Sequence, residues 1–166
     1  DLRITNATKS ARQSMLYIYE HTSSKVEFLE WRQSITQKIN AAVDRLPEVY
    51  PWLLRKQVTH FVKSLVSLLV EIHTVERMVD TVQSHGDFQP ANILIPTVSD
   101  QRSVYLIDWE YTDKRCRWYD AMVFELHSRS PTGLASRIHQ WLSDEKRAYQ
   151  SIEWCGLDQT ESFSIY

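Results

Sequence analysis

Between His60 and Ile72 the apolar side chains fall on two adjacent rows of a helix. Phe61, Leu65, Leu68, Leu69 and Ile72 form one row, and Val62, Val66 and Val70 lie beside it. A helix that is apolar over most of its girth has to be covered on several sides. This pattern predicts a central core helix over 51–79, with Pro51 suited to its first turn, and a mainly helical protein around it. A second amphipathic helix is predicted over 26–46, where Phe28, Trp31, Ile35, Ile39, Ala42 and Leu46 recur at steps of three and four. Pro47 and Pro51 are expected to punctuate its end. Residues 1–24 are polar and weakly patterned, with Met15–Tyr19 readable as a strand or a helical turn.

The texture changes after Asp80. Two short apolar runs, 92–95 and 104–107, flank a turn-rich segment and predict a small β-hairpin. Helices are expected over 119–129 and 133–149, the latter with Leu134, Ile138, Trp141 and Leu142 as its apolar face. The expected fold class is mainly α with one small β-hairpin, and residues 1–166 read as a single domain without internal repeats. At 166 residues the chain is long enough to bury a core.

Several function classes are disfavoured. The net charge of −2 gives no basic field for nucleic acid or anionic membrane. The longest apolar stretch, 64–72, is too short to span a bilayer and contains Glu71. The first residues lack the pattern of a secretory signal. Cys116 and Cys155 have no metal-ligand spacing, so two unpaired thiols and a cytoplasmic location are expected. His60, His73, His127 and His139 likewise lack partners at metal spacing, and Trp31, Trp52, Trp141 and Trp154 are expected to pack rather than cage a ligand. The three glycines, Gly86, Gly133 and Gly156, are isolated and cannot form a GxGxxG or Walker-type phosphate loop.

The stretch that carries chemistry runs over 84–95 and continues at 105–110. Asp87 and Asn92 bracket a five-residue advance into the first predicted strand, and Asp108 closes the second. A hairpin brings Asp108 back beside Asn92. A carboxylate and a carboxamide oxygen converging there are hard ligands suited to Mg²⁺, which takes few protein ligands and keeps several waters. Asp87, outside that pair, is placed to accept a proton from a hydroxyl nucleophile. That is the layout of phosphoryl transfer.

His85-Gly86-Asp87-x-x-x-x-Asn92 followed by Ile107-Asp108-Trp109-Glu110 resembles the signature of the aminoglycoside phosphotransferase and choline/ethanolamine kinase group, relatives of the protein kinases with their HRDxxxxN and DFG motifs. The resemblance is close over 82–129 and loose over most of the chain. It implies the helical C-terminal lobe of a protein-kinase-like α+β fold. Asp87 then corresponds to the catalytic base, Asn92 and Asp108 to the Mg²⁺ ligands, His85 to a brace of the loop, and Asp120 to the downstream aspartate that steadies it. Glu110 is a candidate for an outer-shell metal role, against the alternative of a solvated carboxylate. The implied activity is ATP- or GTP-dependent transfer to a hydroxyl of a small polar molecule such as an aminoglycoside, choline, ethanolamine, a sugar or an amino alcohol. The residues that would bind the nucleotide itself are not legible.

The chain departs from that family before residue 82. Neither the five strands of a nucleotide-clamping lobe nor its glycines can be written there, so a piece of a larger two-lobed protein is expected. Taken alone it should be inactive, with apolar inter-lobe surface open to self-association or to a partner chain. The alternative is a non-catalytic, pseudokinase-like interaction domain. The acidic residues Asp144, Glu145, Glu153, Asp158 and Glu161 are expected to be mainly a solvated face.

Overall fold

The computed structural model describes residues 2–49, 55–71, 78–96, 104–130 and 132–144. The described chain is mixed α and β, dominated by helices, with small antiparallel sheets. In order, its elements are α1 (Leu2–Thr22), β1 (Ser24–Glu27), α2 (Phe28–Val49), α3 (Arg55–Glu71), β2 (Met78–Ser84), β3 (Ile93–Leu94), β4 (Tyr105–Leu106), β5 (Asp113–Cys116), α4 (Tyr119–Glu125) and α5 (Leu134–Ser143). Single 3₁₀ turns occur at Pro90–Asn92 and Trp109–Tyr111. The described residues form two compact units, one from 2–24 with 80–144, the other from 25–79.

The first unit is built on α1. Ala7, Ala11, Met15 and Tyr19, each four residues apart, make one buried row, because a step of four returns to nearly the same side of a helix. Val82, Phe88, Ile93 and Ala121 complete the cluster, with Leu16, Ile18, Val104, Leu106, Trp109 and Phe124 partly buried around it. This corrects the reading of 1–24 as weakly patterned. Half of the row is alanine, which adds little to a hydropathy pattern yet lets neighbouring backbone approach. The helix at the centre of this core is α1, not the helix expected over 51–79.

That expected helix is also shorter. Val79 lies in β2, where β-branched Val79, Thr81 and Val82 favour the extended chain. In the second unit α2 packs against α3. Val62 is buried and Val66 half-buried, whereas Phe61, Leu65, Leu68, Leu69, Val70 and Ile72 lie outside the described side chains. On α2, Phe28, Trp31, Ile35, Ile39 and Leu46 are half-buried, but Ala42 is exposed and Val43 takes its place. The helix starts two residues later than expected, after β1, and continues past Pro47.

The expected hairpin is present: β3 and β4 are antiparallel, with Ile93 opposite Leu106 and Leu94 opposite Tyr105. A second pairing, β2 with β5, was not anticipated. It sets Thr81 opposite Cys116 and Ser84 opposite Asp113, and the sheet order is β1-β2-β5. Cys116 carries a free thiol whose pKa burial pushes up; Cys155 is outside the described residues. Helix α4 stops at Glu125, short of the expected 129, because His127 takes a positive φ of 45°. The Arg137 guanidinium then gathers the carbonyls of Leu126, His127, Ser130 and Thr132, fixing the turn after α4. On α5 Trp141 is buried but Ile138 is exposed; Leu142 is outside the described side chains, as is the expected continuation over 145–149. Among the described residues no helix is long and apolar enough to cross a membrane.

Candidate active site

Residues 85–88 and Asn92 are buried, and one carboxylate organises the start of this segment. Asp120, in the first turn of α4 and 1% exposed, accepts the His85 N–H at 2.8 Å and the Tyr19 hydroxyl at 2.9 Å on Oδ2, and the Gly86 N–H at 2.9 Å on Oδ1. Burial holds its carboxyl above the usual range, opposed by these three donors. Arg12 on α1 pairs with Glu125 at the other end of α4, 2.6 Å away, so α1 grips α4 at two points. The sequence reading gave Tyr19 no role at the site. Its signal was the step-four row on α1.

Gly86 permits the turn that follows. Its φ is +87°, and a Cβ there would stand 2.1 Å from the Tyr111 carbonyl oxygen, so both the dihedral and the close approach need glycine. His85 braces the same junction. Its Nε2 lies 2.8 Å from the Ile107 carbonyl and its Nδ1 accepts the Asp87 N–H at 3.3 Å. Those partners suit the tautomer whose Nε2–H donates to Ile107. The ring lies 4.5 Å from that of Trp109, whose Nε1 donates to the Leu106 carbonyl at 2.9 Å.

Asp87 is 5% exposed and has three donors. Oδ1 accepts Arg129 Nε at 2.6 Å; Oδ2 accepts Gln89 Nε2 at 3.1 Å and Asn92 Nδ2 at 3.3 Å. A carboxylate offers roughly four acceptor positions, so room for one further donor remains. Asn92 Nδ2 also donates to the Asp87 carbonyl at 2.9 Å. This assigns the Asn92 amide: its nitrogen faces Asp87, and among the described residues Oδ1 has no protein donor.

Asp108 lies one residue beyond Ile107, whose N–H donates to the Asn92 carbonyl at 3.1 Å. Both candidate metal ligands are therefore at the same end of the β3–β4 hairpin. Asn92 stands opposite Ile107, so unbroken strand alternation would send Asp108 to the other face. The strand ends first: Asp108 has φ 65° and ψ 56°, a left-handed conformation that aspartate tolerates better than most residues, and the alternation does not carry to it. Its carboxylate is exposed and, among the described residues, makes no hydrogen bond. Two oxygen ligands, Asn92 Oδ1 and the Asp108 carboxylate, suit Mg²⁺ by type. Among the described residues no group of three or more His, Cys, Asp or Glu could hold a metal. Glu110 is exposed, and its carboxylate raises the pKa of the neighbouring Tyr111 phenol.

Arg129 is the other residue that the sequence reading missed, and nothing local marks it. It reaches Asp87 from the turn after α4, across 42 residues of chain. The guanidinium lies 5.0 Å over the Tyr111 ring, and its bond to Asp87 raises its pKa. His60, His127 and His139 are exposed and Trp31 half-buried; His73, Trp52 and Trp154 are outside the described residues, as are the acidic positions from Glu145 onward, and Asp144 is half-buried. None of the known protein families, curated proteins or solved structures compared with this chain matches it.

Proposed function

We propose that this chain carries the catalytic and metal-binding half of an ATP- or GTP-dependent phosphotransferase acting on a hydroxyl of a small polar molecule, in a helical lobe resembling that of the aminoglycoside phosphotransferases and choline/ethanolamine kinases. The observation that carries the reading is the arrangement of the 85–92 loop. Asp120 fixes its first two amides, and the Asn92 amide is turned so that nitrogen meets Asp87 while oxygen stays open. In this reading Asp87 orients the acceptor hydroxyl and takes its proton through the one acceptor position left on its carboxylate. Asn92 Oδ1 and Asp108 hold Mg²⁺, which when bound neutralises charge on the donor phosphates. His85 keeps the loop and the end of β4 together, so that base and metal ligands stay in register.

A glycine-rich phosphate cover cannot be written with Gly86, Gly133 and Gly156. Alone, the chain should hold Mg²⁺-ATP weakly, on the order of millimolar, and turn over poorly. Leu94, Ile95, Tyr105 and Ile107 on the hairpin are exposed, which supports apolar contact with another lobe, a partner chain or a second copy. A second reading, a non-catalytic kinase-like interaction domain, draws on the Arg129–Asp87 pair, which occupies one oxygen of the base.

Phosphorus NMR of ATP with Mg²⁺ tests the first reading. Adding the chain should shift the β and γ resonances with millimolar affinity, and Asp108→Ala should abolish the shift. Equal shifts with both proteins, or none with either, would contradict the proposed metal and phosphate site.

A further inference from the structure

Arg129 occupies an unusual position for a residue beside a catalytic base. Its Nε is bound to the buried Asp87, whose side chain is 8% exposed, while its own side chain is 49% exposed. The guanidinium therefore stands at the mouth of the site, with Nε facing inward. Among the described residues its two terminal nitrogens make no hydrogen bond; its other contact is the face of Tyr111. The turn that carries it is fixed by Arg137, so the head group is held by its backbone, by Asp87 and by an aromatic face. Four N–H donors in a planar fork, pre-positioned beside the atom that would receive a hydroxyl, match the two oxygens of a carboxylate or phosphate.

We infer that the Nη1/Nη2 fork of Arg129 binds a carboxylate on the acceptor, so that the alcohol phosphorylated here is a hydroxy acid rather than an amine-bearing one. This rests on Asp87 being the residue that receives the acceptor hydroxyl. Asp87 already has its charge met by Arg129, so it is a poor anchor for an ammonium group, and a cation placed next to the guanidinium is repelled. The exposed carboxylates of Asp108 and Glu110 are the nearby groups that would favour a cation instead. The raised pKa of Arg129 keeps the fork charged throughout the accessible pH range.

The test is a set of NMR titrations of the full 166-residue chain, following the Arg129 Nε–H and Gly86 amide signals. The probes are D-glycerate, inorganic phosphate and ethanolamine. Glycerate should move both signals saturably; Arg129→Gln should weaken it about tenfold or more, and Arg129→Lys, which keeps the charge but not the fork, should fall between. Ethanolamine should leave both signals in place. A response to phosphate without one to glycerate would assign the fork to the nucleotide and overturn the acceptor assignment. Binding of ethanolamine as tight as glycerate, no response to any probe, or an unchanged affinity in Arg129→Gln would also overturn it. Arg129 is half-exposed, so the substitutions should leave the fold intact. If glycerate fails while the Asp108-dependent Mg²⁺-ATP shift persists, this inference alone is lost. If the ATP shift fails while glycerate binds, the phosphotransferase reading is lost.

Discussion

Asp120→Ala should be among the most damaging single changes in the first unit. The substitution strips the acceptor from three buried donors, the His85 and Gly86 amides and the Tyr19 hydroxyl. Each buried donor left without an acceptor costs about 1–3 kcal/mol. Allowing for water entering the vacated space, the loss should be about 3–6 kcal/mol, a large part of the roughly 5–15 kcal/mol that holds a domain together. Tyr19→Phe removes one of the three bonds and keeps the carboxylate, so it should cost about 1 kcal/mol. Urea unfolding followed by tryptophan fluorescence measures both, and amide hydrogen exchange at Gly86 reports the loop directly. The pH dependence has a definite sign. Burial raises the Asp120 carboxyl above its ordinary 3.8, so the folded chain binds that proton more tightly than the unfolded one. The stability linked to it is full below the ordinary value and is lost as pH rises through the folded one. The stability of wild type relative to Asp120→Asn should therefore fall with rising pH in the weakly acidic range. An Asp120→Ala protein within about 1 kcal/mol of wild type, with Gly86 still protected, would refute the idea that this carboxylate organises the loop.

Gly86→Ala combines a positive φ, about 1–2 kcal/mol for a residue with a Cβ, with an overlap that forces backbone to move, about 1–3 kcal/mol. Thermal unfolding should register a loss of roughly 2–5 kcal/mol. In a form of the protein competent for transfer, Asp87→Asn should lower turnover by about 10²- to 10⁴-fold and leave Mg²⁺-ATP affinity little changed, as read by initial rates and calorimetry.

How much of this was legible in the sequence differs from element to element. The β3–β4 hairpin was, since Asn92-Ile93-Leu94-Ile95 and Val104-Tyr105-Leu106-Ile107 are short apolar runs on either side of a turn. The ordering of His85, Asp87, Asn92, Asp108 and Asp120 was legible as well, and the fold brings His85, Asp87, Asn92 and Asp120 into one hydrogen-bonded group. Helix α1 was not, because Ala7 and Ala11 are small and scarcely register as apolar, although their spacing with Met15 and Tyr19 is helical. Strand β5 was hidden by its own composition: Asp113-Lys114-Arg115-Cys116 has no apolar alternation, and side-chain bonds such as Arg115 to Ser84 at 2.6 Å help hold it to β2. Arg129 could not be read at all. Its contact with Asp87 depends on where α4 ends, and that is set by the positive φ of His127 and the four carbonyls gathered by Arg137.

Paramagnetic relaxation by Mn²⁺, standing in for Mg²⁺, measures directly whether a divalent cation binds between Asn92 and Asp108. With substoichiometric Mn²⁺ and ATP, the Asn92 side-chain amide and the backbone amides of Asp108 and Trp109 should broaden first. Asp108→Ala should remove the effect while leaving the rest of the amide spectrum unchanged. Broadening spread over the acidic surface, with Asn92 and Asp108 no more affected than Glu20 or Glu30, would contradict the assignment of this loop as a metal and phosphate site.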